Sequence, residues 1–208
     1  MKVLNFALIV FISFFSAFAT AGETISCPDR QIGEKMSYRQ TGGSTRDWSL
    51  EVKNVIGNSV EMISDTNVPV LTDRVLNPSK NSRGQVFQSK TGDGKYYQLP
   101  DCPFSLGEKK EYHGISYKNL NNGREVSGDF KVEVANDYVV LETSIGIFKA
   151  VKVTSRFNYS SGGAGGFLTM NSFYVPELGV IAKYDYVDSY DRSSATVTDL
   201  VNYKKPNP

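Results

Sequence analysis

Residues 151–159 read VKVTSRFNY, and this alternation of apolar and polar residues decides the fold class. A period of two is typical of a β-strand with one buried and one exposed face. Residues 48–53 (WSLEVK) and 130–134 (FKVEV) show the same pattern. No window after residue 21 shows the period of about 3.6 residues that marks an amphipathic helix. We therefore predict an all-β fold.

Turn-forming residues separate these runs at short intervals. Gly, Asn and Asp, which tolerate tight turns, fall at 57–58, 121–123, 136–137 and 162–166. About ten strands at this spacing favour an antiparallel meander over alternating strand–helix units. Because such a sheet buries one face, it must curl, close or pair with a second sheet. We expect a strongly twisted sheet or an open, barrel-like one.

The N-terminus has the three parts of a secretory signal. Lys2 comes first, an unbroken apolar run follows, and small residues continue to Ala21. We predict that residues 1–21 are a signal peptide cleaved before Gly22, which leaves 22–208 as a single all-β domain. The apolar run is shorter than the ~20 residues of a membrane-spanning helix, and no later segment is apolar enough to span. We expect a soluble mature chain in the periplasm or outside the cell.

The charge balance limits the partners. Removing residues 1–21 removes one charged residue, Lys2, so the mature chain carries 22 basic and 22 acidic residues. Proteins that neutralise several phosphates normally show a basic excess, so we exclude nucleic acid as a partner. The charges alternate in sign instead of clustering, so no polybasic membrane patch is present.

Cys27 and Cys102 are the two cysteines of the chain. Two cysteines on one domain in an oxidising compartment usually pair, and we predict a disulfide between them. The alternative is a lipid-modified Cys27 at the mature N-terminus. That modification needs an aliphatic residue three positions earlier, directly after the apolar run. Thr24 stands at that position and Glu23 intervenes, so we favour the disulfide.

A short motif occurs twice, as GEKMSY at 33–38 and GEKKEY at 107–112. A duplication of 27–65 and 102–145 would build the domain from two similar halves, and chance recurrence in a strand-rich chain is the alternative. Residues 66–100 differ in composition, because Pro, Gly and polar residues interrupt them. A connection of this length is usually functional or irregular. We predict an irregular insertion there, a flap over one end of the sheet.

No residue pattern indicates a nucleophile or a metal site. His113 is the one histidine of the chain, which excludes histidine-rich metal sites. A triad built on His113 with a serine and an aspartate has no supporting G-x-S-x-G motif. We interpret His113 as an ordinary strand residue and Gly114 as the mark of a β-bulge.

The acidic residues are the remaining candidates for catalysis, because paired carboxylates hydrolyse glycosidic bonds. Glu61, Glu111, Glu133 and Glu142 lie out of phase with apolar neighbours, as solvated strand residues do. We therefore assign no catalytic, metal-binding or cofactor-binding residue, and we expect no cofactor.

Three tyrosines share one parity near the C-terminus, namely Tyr184, Tyr186 and Tyr190. Such a stripe can stack on sugar rings. Tyrosines on a strand more often pack at the edge of a core, with the hydroxyl at the water boundary. We favour packing.

Two stretches resemble a known family. Residues 146–153 read GIFKAVKV and residues 173–183 read FYVPELGVIAK. Together they resemble the pattern "G-x-F-x-A-x-K-V … Y-x-P-x-L-G-x-x-x-K" of TapB-like exported bacterial proteins, mainly over residues 140–187. The resemblance implies a β protein of the cell envelope, periplasmic or lipid-anchored, with a domain of unknown function and no established catalytic residue. In physical terms the motif describes structure, since Gly179 supplies a positive φ before a strand.

These observations favour a non-enzymatic exported module that binds an envelope protein, or a lipid or other apolar ligand. A hydrolase that acts on envelope polysaccharide through acidic residues near 66–100 is an alternative from a different class. A structural or assembly component of a surface apparatus is a third.

Overall fold

A computed structural model describes residues 22–43, 45–81, 85–89, 94–119, 123, 125–161, 164–189 and 195–206. Every regular element in these ranges is a β-strand. In chain order the strands are β1 (Thr24–Ile25), β2 (Lys35–Thr41), β3 (Arg46–Ile56), β4 (Ser59–Ser64), β5 (Pro69–Asp73), β6 (Pro78–Lys80), β7 (Gln85–Gln88), β8 (Phe104–Ser105), β9 (Lys109–Asn119), β10 (Glu125–Thr143), β11 (Gly146–Ser161), β12 (Ala164–Val175), β13 (Val180–Asp188) and β14 (Thr196–Lys204).

Twelve of these strands form one closed antiparallel barrel. Its order is β2-β3-β4-β5-β6-β7-β9-β10-β11-β12-β13-β14, and β14 returns to pair with β2. β1 and β8 form a separate two-stranded sheet. The all-β, antiparallel prediction is confirmed, and the sheet closes completely, which leaves no unpaired edge.

The interior of the barrel follows from the alternation seen in the sequence. On β11, Val151, Val153 and Phe157 are buried, whereas Lys152 and Arg156 are exposed. Their inward-facing counterparts on the other strands make two buried clusters. One centres on Phe130, Phe157 and Tyr174, and the other on Met36, Val52, Met62 and Leu200. Burying each such side chain contributes about 1.5–3 kcal/mol, so the periodic pattern is what stabilises the barrel.

Residues 66–100 differ from the prediction of an irregular insertion. They contain β5, β6 and β7, and β7 pairs with β9 in the register Val86↔Lys118 to complete the wall. The strands are only three to five residues long, and two begin with a proline, Pro69 and Pro78. Proline is tolerated at the first position of a strand, and short strands give little periodic signal. These three strands therefore belong to the barrel wall, whereas residues 94–100 are irregular and bury Tyr97 and Leu99 in the core cluster around Phe130.

A β-bulge lies at His113 and Gly114, as predicted from the glycine. The β9–β10 register shifts between Gly128 and Phe130, and the amide of Gly114 donates to Asp129 Oδ1 at 2.8 Å. Gly114 has a φ of 65°, which favours glycine. Bulges increase strand twist and so help the sheet curl into a barrel.

The segment 22–34, here called the plug, crosses one end of the barrel. Asp29 pairs with Arg74 at 2.7 Å, and Arg30 donates to the carbonyl oxygens of Arg74 and Gly179. Gly179 has the predicted positive φ, 71°, and a Cβ there would lie 2.2 Å from Pro28 Cγ. Glycine is therefore required at 179 both by the turn and by the close approach of the plug.

The two GEK motifs occupy similar local positions, although the duplication itself stays a prediction. Gly33 and Gly107 both have a positive φ and precede the long strands β2 and β9.

The described residues include no helix with the length and apolar character that crossing a membrane requires.

Candidate ligand-binding cavity in the barrel

The predicted disulfide is present in the structure. Cys27 and Cys102 are joined, with their Cα atoms 6.2 Å apart. Pairing of β1 with β8 explains the proximity, because Ile25 opposes Phe104 and each cysteine lies two residues from that pair. The predicted signal peptide, residues 1–21 with Ala21 at the cleavage site, lies outside the described residues, and Gly22 begins the plug.

His113 lies on the outer surface. Its ring nitrogens are 3.6 Å from Glu111 Oε2 and 3.5 Å from Asp129 Oδ1, and its side chain is 68% exposed. Within the described ranges, no group of three or more His, Cys, Asp or Glu side chains is arranged to hold a metal ion.

The four glutamates considered for catalysis are also on the outer face. Glu61, Glu111, Glu133 and Glu142 are all exposed. Glu111 and Glu133 pair with surface lysines. The structure brings none of the four into a cleft of the described residues, in agreement with their phase in the sequence.

Asp73 is the acidic residue near 66–100 that is buried, and it is fully engaged. Its Oδ1 accepts from the amides of Val75 (3.0 Å) and Asn77 (2.9 Å), and its Oδ2 accepts from Asn77 Nδ2 (3.1 Å) and Lys95 Nζ (3.2 Å). Burial raises the pKa of the Asp73 carboxyl, against the opposing effect of Lys95. Asp73 and Lys95 line a cavity of about 460 Å³. With both oxygens occupied by hydrogen bonds, Asp73 holds the 74–77 turn.

A larger cavity of about 720 Å³ occupies the barrel interior, and we call it the lumen cavity. Gly43, Arg46, Asp65 and Thr66 form its rim, and all four are exposed. These residues lie at the β2–β3 and β4–β5 connections, which antiparallel pairing places at one end of the barrel. The plug covers the other end. The lumen cavity is therefore reached from solvent at the end opposite the plug.

Aromatic rings form much of its wall. Tyr38 and Trp48 stack with ring centroids 4.5 Å apart and an interplanar angle of 21°. Tyr96 and Phe87 meet edge to face at 5.5 Å. All four rings line the lumen cavity. Aromatic rings of this kind bury large apolar areas while their polar edges still accept or donate hydrogen bonds.

Tyr184 and Tyr186, from the predicted stripe, also line the lumen cavity. Both are half-buried and pack against the core cluster around Phe130, so the packing interpretation describes part of their environment. Tyr190 lies outside the described residues.

A row of polar side chains crosses the inward face beside these rings. In strand register, Ser172 opposes Tyr184, Tyr184 opposes Thr198, and Thr198 opposes Gln40. Ser172 and Thr198 are completely buried, and their hydroxyl groups have no hydrogen-bond partner. The indole N–H of Trp48 likewise has none. All three atoms are inaccessible to solvent, and Ser172 and Thr198 are not among the residues that line the lumen cavity, so these atoms lie inside the wall and not on its surface.

Formal charge is confined to the rim. Among the described residues that line the lumen cavity, the Lys, Arg, Asp and Glu side chains are Arg46 and Asp65, one of each sign. Arg46 Nη2 donates to Gln40 Oε1 at 3.5 Å. The deeper wall is apolar, aromatic, amide or hydroxyl in character.

The sequence analysis did not identify this cavity, although a signal for it was present. Gln40 shares the inward parity of Met36 and Tyr38, and Thr196 shares that of Leu200. A polar residue in phase with buried apolar residues is what distinguishes a lumen-facing site from a solvated strand face. Which of these residues come together depends on barrel closure.

No protein-family model and no curated protein sequence matches the chain. Comparison with solved structures finds three similar chains among others. A candidate exported protein with a YmcC-like fold from Bacteroides fragilis has a TM-score of 0.51 and 11% identity, over 87% of this chain and 100% of that one. A candidate lipoprotein from Parabacteroides distasonis has a TM-score of 0.49 and 10% identity, over 85% of this chain and 97% of that one. The hypothetical lipoprotein YmcC from Escherichia coli has a TM-score of 0.47 and 10% identity, over 84% of this chain and 85% of that one.

At these identities the Bacteroides fragilis structure shows the fold alone, which is YmcC-like. The TapB-like assignment made from residues 140–187 is not supported by any family model. The coarser expectation of an all-β domain agrees with the similarity to the Bacteroides fragilis structure, whose name assigns no activity.

Proposed function

We propose that this chain is an exported, non-enzymatic β-barrel protein that binds a small ligand in its lumen cavity. One observation carries the proposal: a cavity of about 720 Å³ that opens at exposed rim residues and is lined by aromatic rings and by amide and hydroxyl side chains. Small-molecule sites are typically concave, of roughly 300–1,000 Å³, mostly apolar, with a few placed polar groups.

The polar side chains of the lining favour an amphipathic ligand. Gln40, Gln98 and Thr196 contribute amide and hydroxyl groups among the aromatic rings. A ligand that carries both apolar and hydrogen-bonding surface matches such a wall. We therefore replace the apolar ligand expected from the sequence by an amphipathic one.

Export is supported by the N-terminal residues and by the disulfide. Lys2, the apolar run and the small residues before Gly22 are typical of a secretory signal. A disulfide such as Cys27–Cys102 persists in oxidising compartments. The Bacteroides fragilis protein of similar fold carries the name of a candidate exported protein, which is consistent with this location.

The hydrolase alternative has no arrangement of residues in its favour. The exposed glutamates face away from the lumen cavity, and Asp73 is held by four structural hydrogen bonds. A binding role needs none of these groups to react.

Trp48 makes the proposal directly testable, because it is the one tryptophan of the chain and lies in the wall of the lumen cavity. We expect N-phenyl-1-naphthylamine, an apolar dye, to quench Trp48 emission by energy transfer as it enters the barrel. Mass spectrometry of an organic extract of the purified protein tests for a ligand carried from the cell.

Phe167→Ala is the matched control for Tyr186→Ala. Phe167 lies one residue before the lining residue Leu168, on the opposite face, where its ring packs under Arg156. Quenching that weakens in Tyr186→Ala and persists in Phe167→Ala supports lumen binding. The proposal of lumen binding is overturned if no molecule is extracted and Trp48 emission responds neither to the dye nor to a fatty acid or a saccharide.

A further inference from the structure

We infer that the ligand of the lumen cavity is an uncharged saccharide, stacked on Trp48, Tyr184 and Tyr186. This inference rests on the proposed function and names the ligand class for the same cavity. It follows from three properties of the wall: its flat rings, its neutral polar side chains, and its lack of interior charge.

The rings provide the surface for stacking. Tyr38 covers one face of the Trp48 indole, and the indole still lines the cavity, so a ligand meets its remaining face or its edge. Tyr184 and Tyr186 lie on β13 two residues apart, so their side chains share one side of the strand. An aromatic face is negative and attracts the weakly positive C–H groups of a pyranose ring.

The polar atoms provide hydrogen bonds of the matching kind. Hydroxyl groups of a sugar both donate and accept, so they pair equally well with an indole N–H, an amide or another hydroxyl. Gln40 and Gln98 supply amides and Thr196 supplies a hydroxyl to the lining of the lumen cavity. The register places Thr196 directly opposite Tyr186, so a hydroxyl lies beside a stacking ring.

The absence of interior charge excludes other ligand classes. A phosphate or a carboxylate taken into the barrel needs a cationic partner, because burying an unpaired charge is strongly unfavourable. The cationic residue that lines the cavity in the described ranges is Arg46, and it lies at the exposed rim. A long acyl chain also fits poorly, because it would displace water from the Gln40, Gln98 and Thr196 side chains and offer them no hydrogen bond in return.

The test is isothermal titration calorimetry on the exported, disulfide-bonded chain, with Trp48 emission as a second readout. The uncharged probes are hexamers of glucose, galactose and N-acetylglucosamine. The comparison probes are a hexamer of galacturonic acid, dodecanoate and N-phenyl-1-naphthylamine. We expect at least one uncharged hexamer to bind and to change Trp48 emission, with the galacturonic acid hexamer and dodecanoate binding at least tenfold more weakly.

Variants locate the saccharide. Tyr186→Ala, which removes a stacking ring, is expected to weaken binding about tenfold or more. Trp48→Phe replaces the indole by a smaller ring with less area for stacking, and it is expected to weaken binding roughly threefold to tenfold by calorimetry. Phe167→Ala is expected to bind like the wild type. Circular dichroism and the melting temperature check that each variant folds, and Trp48→Phe carries the test alone if Tyr186→Ala does not fold.

The outcomes separate the two proposals. If dodecanoate or the dye enters the lumen while every uncharged hexamer fails to bind, the saccharide inference is overturned and lumen binding stands. If the galacturonic acid hexamer binds as tightly as the uncharged ones, the inference is also overturned. If a saccharide binds and neither Tyr186→Ala nor Trp48→Phe weakens the binding, the saccharide lies outside the lumen cavity and the inference is overturned. If no probe binds, both proposals fall.

Discussion

Arg30 and Glu34 form an ion pair inside the molecule, with 2.7 Å between Nη1 and Oε1 and side chains only 1% and 3% exposed. The Tyr203 hydroxyl lies 2.6 Å from Glu34 Oε1 and 3.0 Å from the Leu178 carbonyl oxygen, and these two acceptors share its one proton. The pair therefore connects the plug to β14 and to the turn before β13. Closure of this end of the barrel depends on the buried network.

Removing one member of the pair should destabilise the fold strongly. Glu34→Gln leaves the Arg30 guanidinium buried without its counter-ion, and such changes cost about 3–5 kcal/mol. Urea denaturation measures the loss. Asp47→Asn is the matched control, because the Arg39–Asp47 pair is more than half exposed and solvent screening leaves such a pair little influence on stability. Equal losses in the two variants would contradict the structural role of the buried pair.

Tyr174, which is buried, and Tyr203, which is half-buried, should differ in how stability responds to loss of the hydroxyl. The Tyr174 hydroxyl is buried without a partner, so Tyr174→Phe should leave the free energy of unfolding unchanged or raise it by about 1 kcal/mol. Tyr203→Phe removes the hydrogen bonds to Glu34 and Leu178 and should lower it by about 1–3 kcal/mol. Thermal unfolding of both variants checks the contrast. A Tyr174→Phe variant as destabilised as Tyr203→Phe would show that Tyr174 has a bonding partner.

The disulfide should contribute substantially to stability. Cys27 and Cys102 are separated by 75 positions, and closing a loop of this length removes entropy from the unfolded chain worth up to about 4 kcal/mol. The Cys27→Ser, Cys102→Ser double variant should therefore melt roughly 10 °C lower. Mass analysis without reductant should find the two cysteines joined in protein taken from the envelope. Free thiols at both positions, or an unchanged melting temperature, would contradict this prediction.

The protein should lose stability in alkali because buried phenols resist ionisation. Burial raises the pKa of Tyr174 to about 12, and it also raises the pKa of Tyr38, Tyr112 and Tyr203. In the unfolded chain the pKa of a tyrosine is about 10, so the unfolded state loses its protons first as the pH rises. The stabilising contribution is complete below pH ~10 and is lost between pH ~10 and ~12, amounting to at most roughly 3 kcal/mol for Tyr174.

Urea denaturation at a series of pH values from 8 to about 11.5 measures this loss, and phenolate absorbance follows the titration. Tyr174→Phe should show a shallower decline than the wild type, because one of the resisting phenols is gone. Stability that stays constant to the highest pH would contradict the assignment of these hydroxyls to the interior.

The strands were predictable where the alternation of apolar and polar residues extends over many positions. VKVTSRFNY at 151–159 is a buried-and-exposed strand in the structure, and the glycine at 114 does mark a bulge. Residues 66–100 were misinterpreted because β5, β6 and β7 are too short for a period of two to stand out from Pro, Gly and polar neighbours. Their strand conformation comes from pairing with β4 and β9, which is a long-range effect.

The candidate site was not predictable, and the reason is geometric. Trp48, Thr196 and Tyr184 come from three strands, and each looks in its own segment like an ordinary strand residue. They approach one another only because β13, β14, β2 and β3 are neighbours in the closed barrel.

The sequence by itself determined that the chain is all β and which side chains of its long strands face inward. Both follow from local alternation, because successive side chains of a strand point to opposite faces. Only the tertiary structure decided that the sheet closes, that the plug covers one end, and that the interior at the other end holds a cavity instead of a filled core. Closure and enclosed volume depend on strand order and register across the whole ring, which no local pattern encodes.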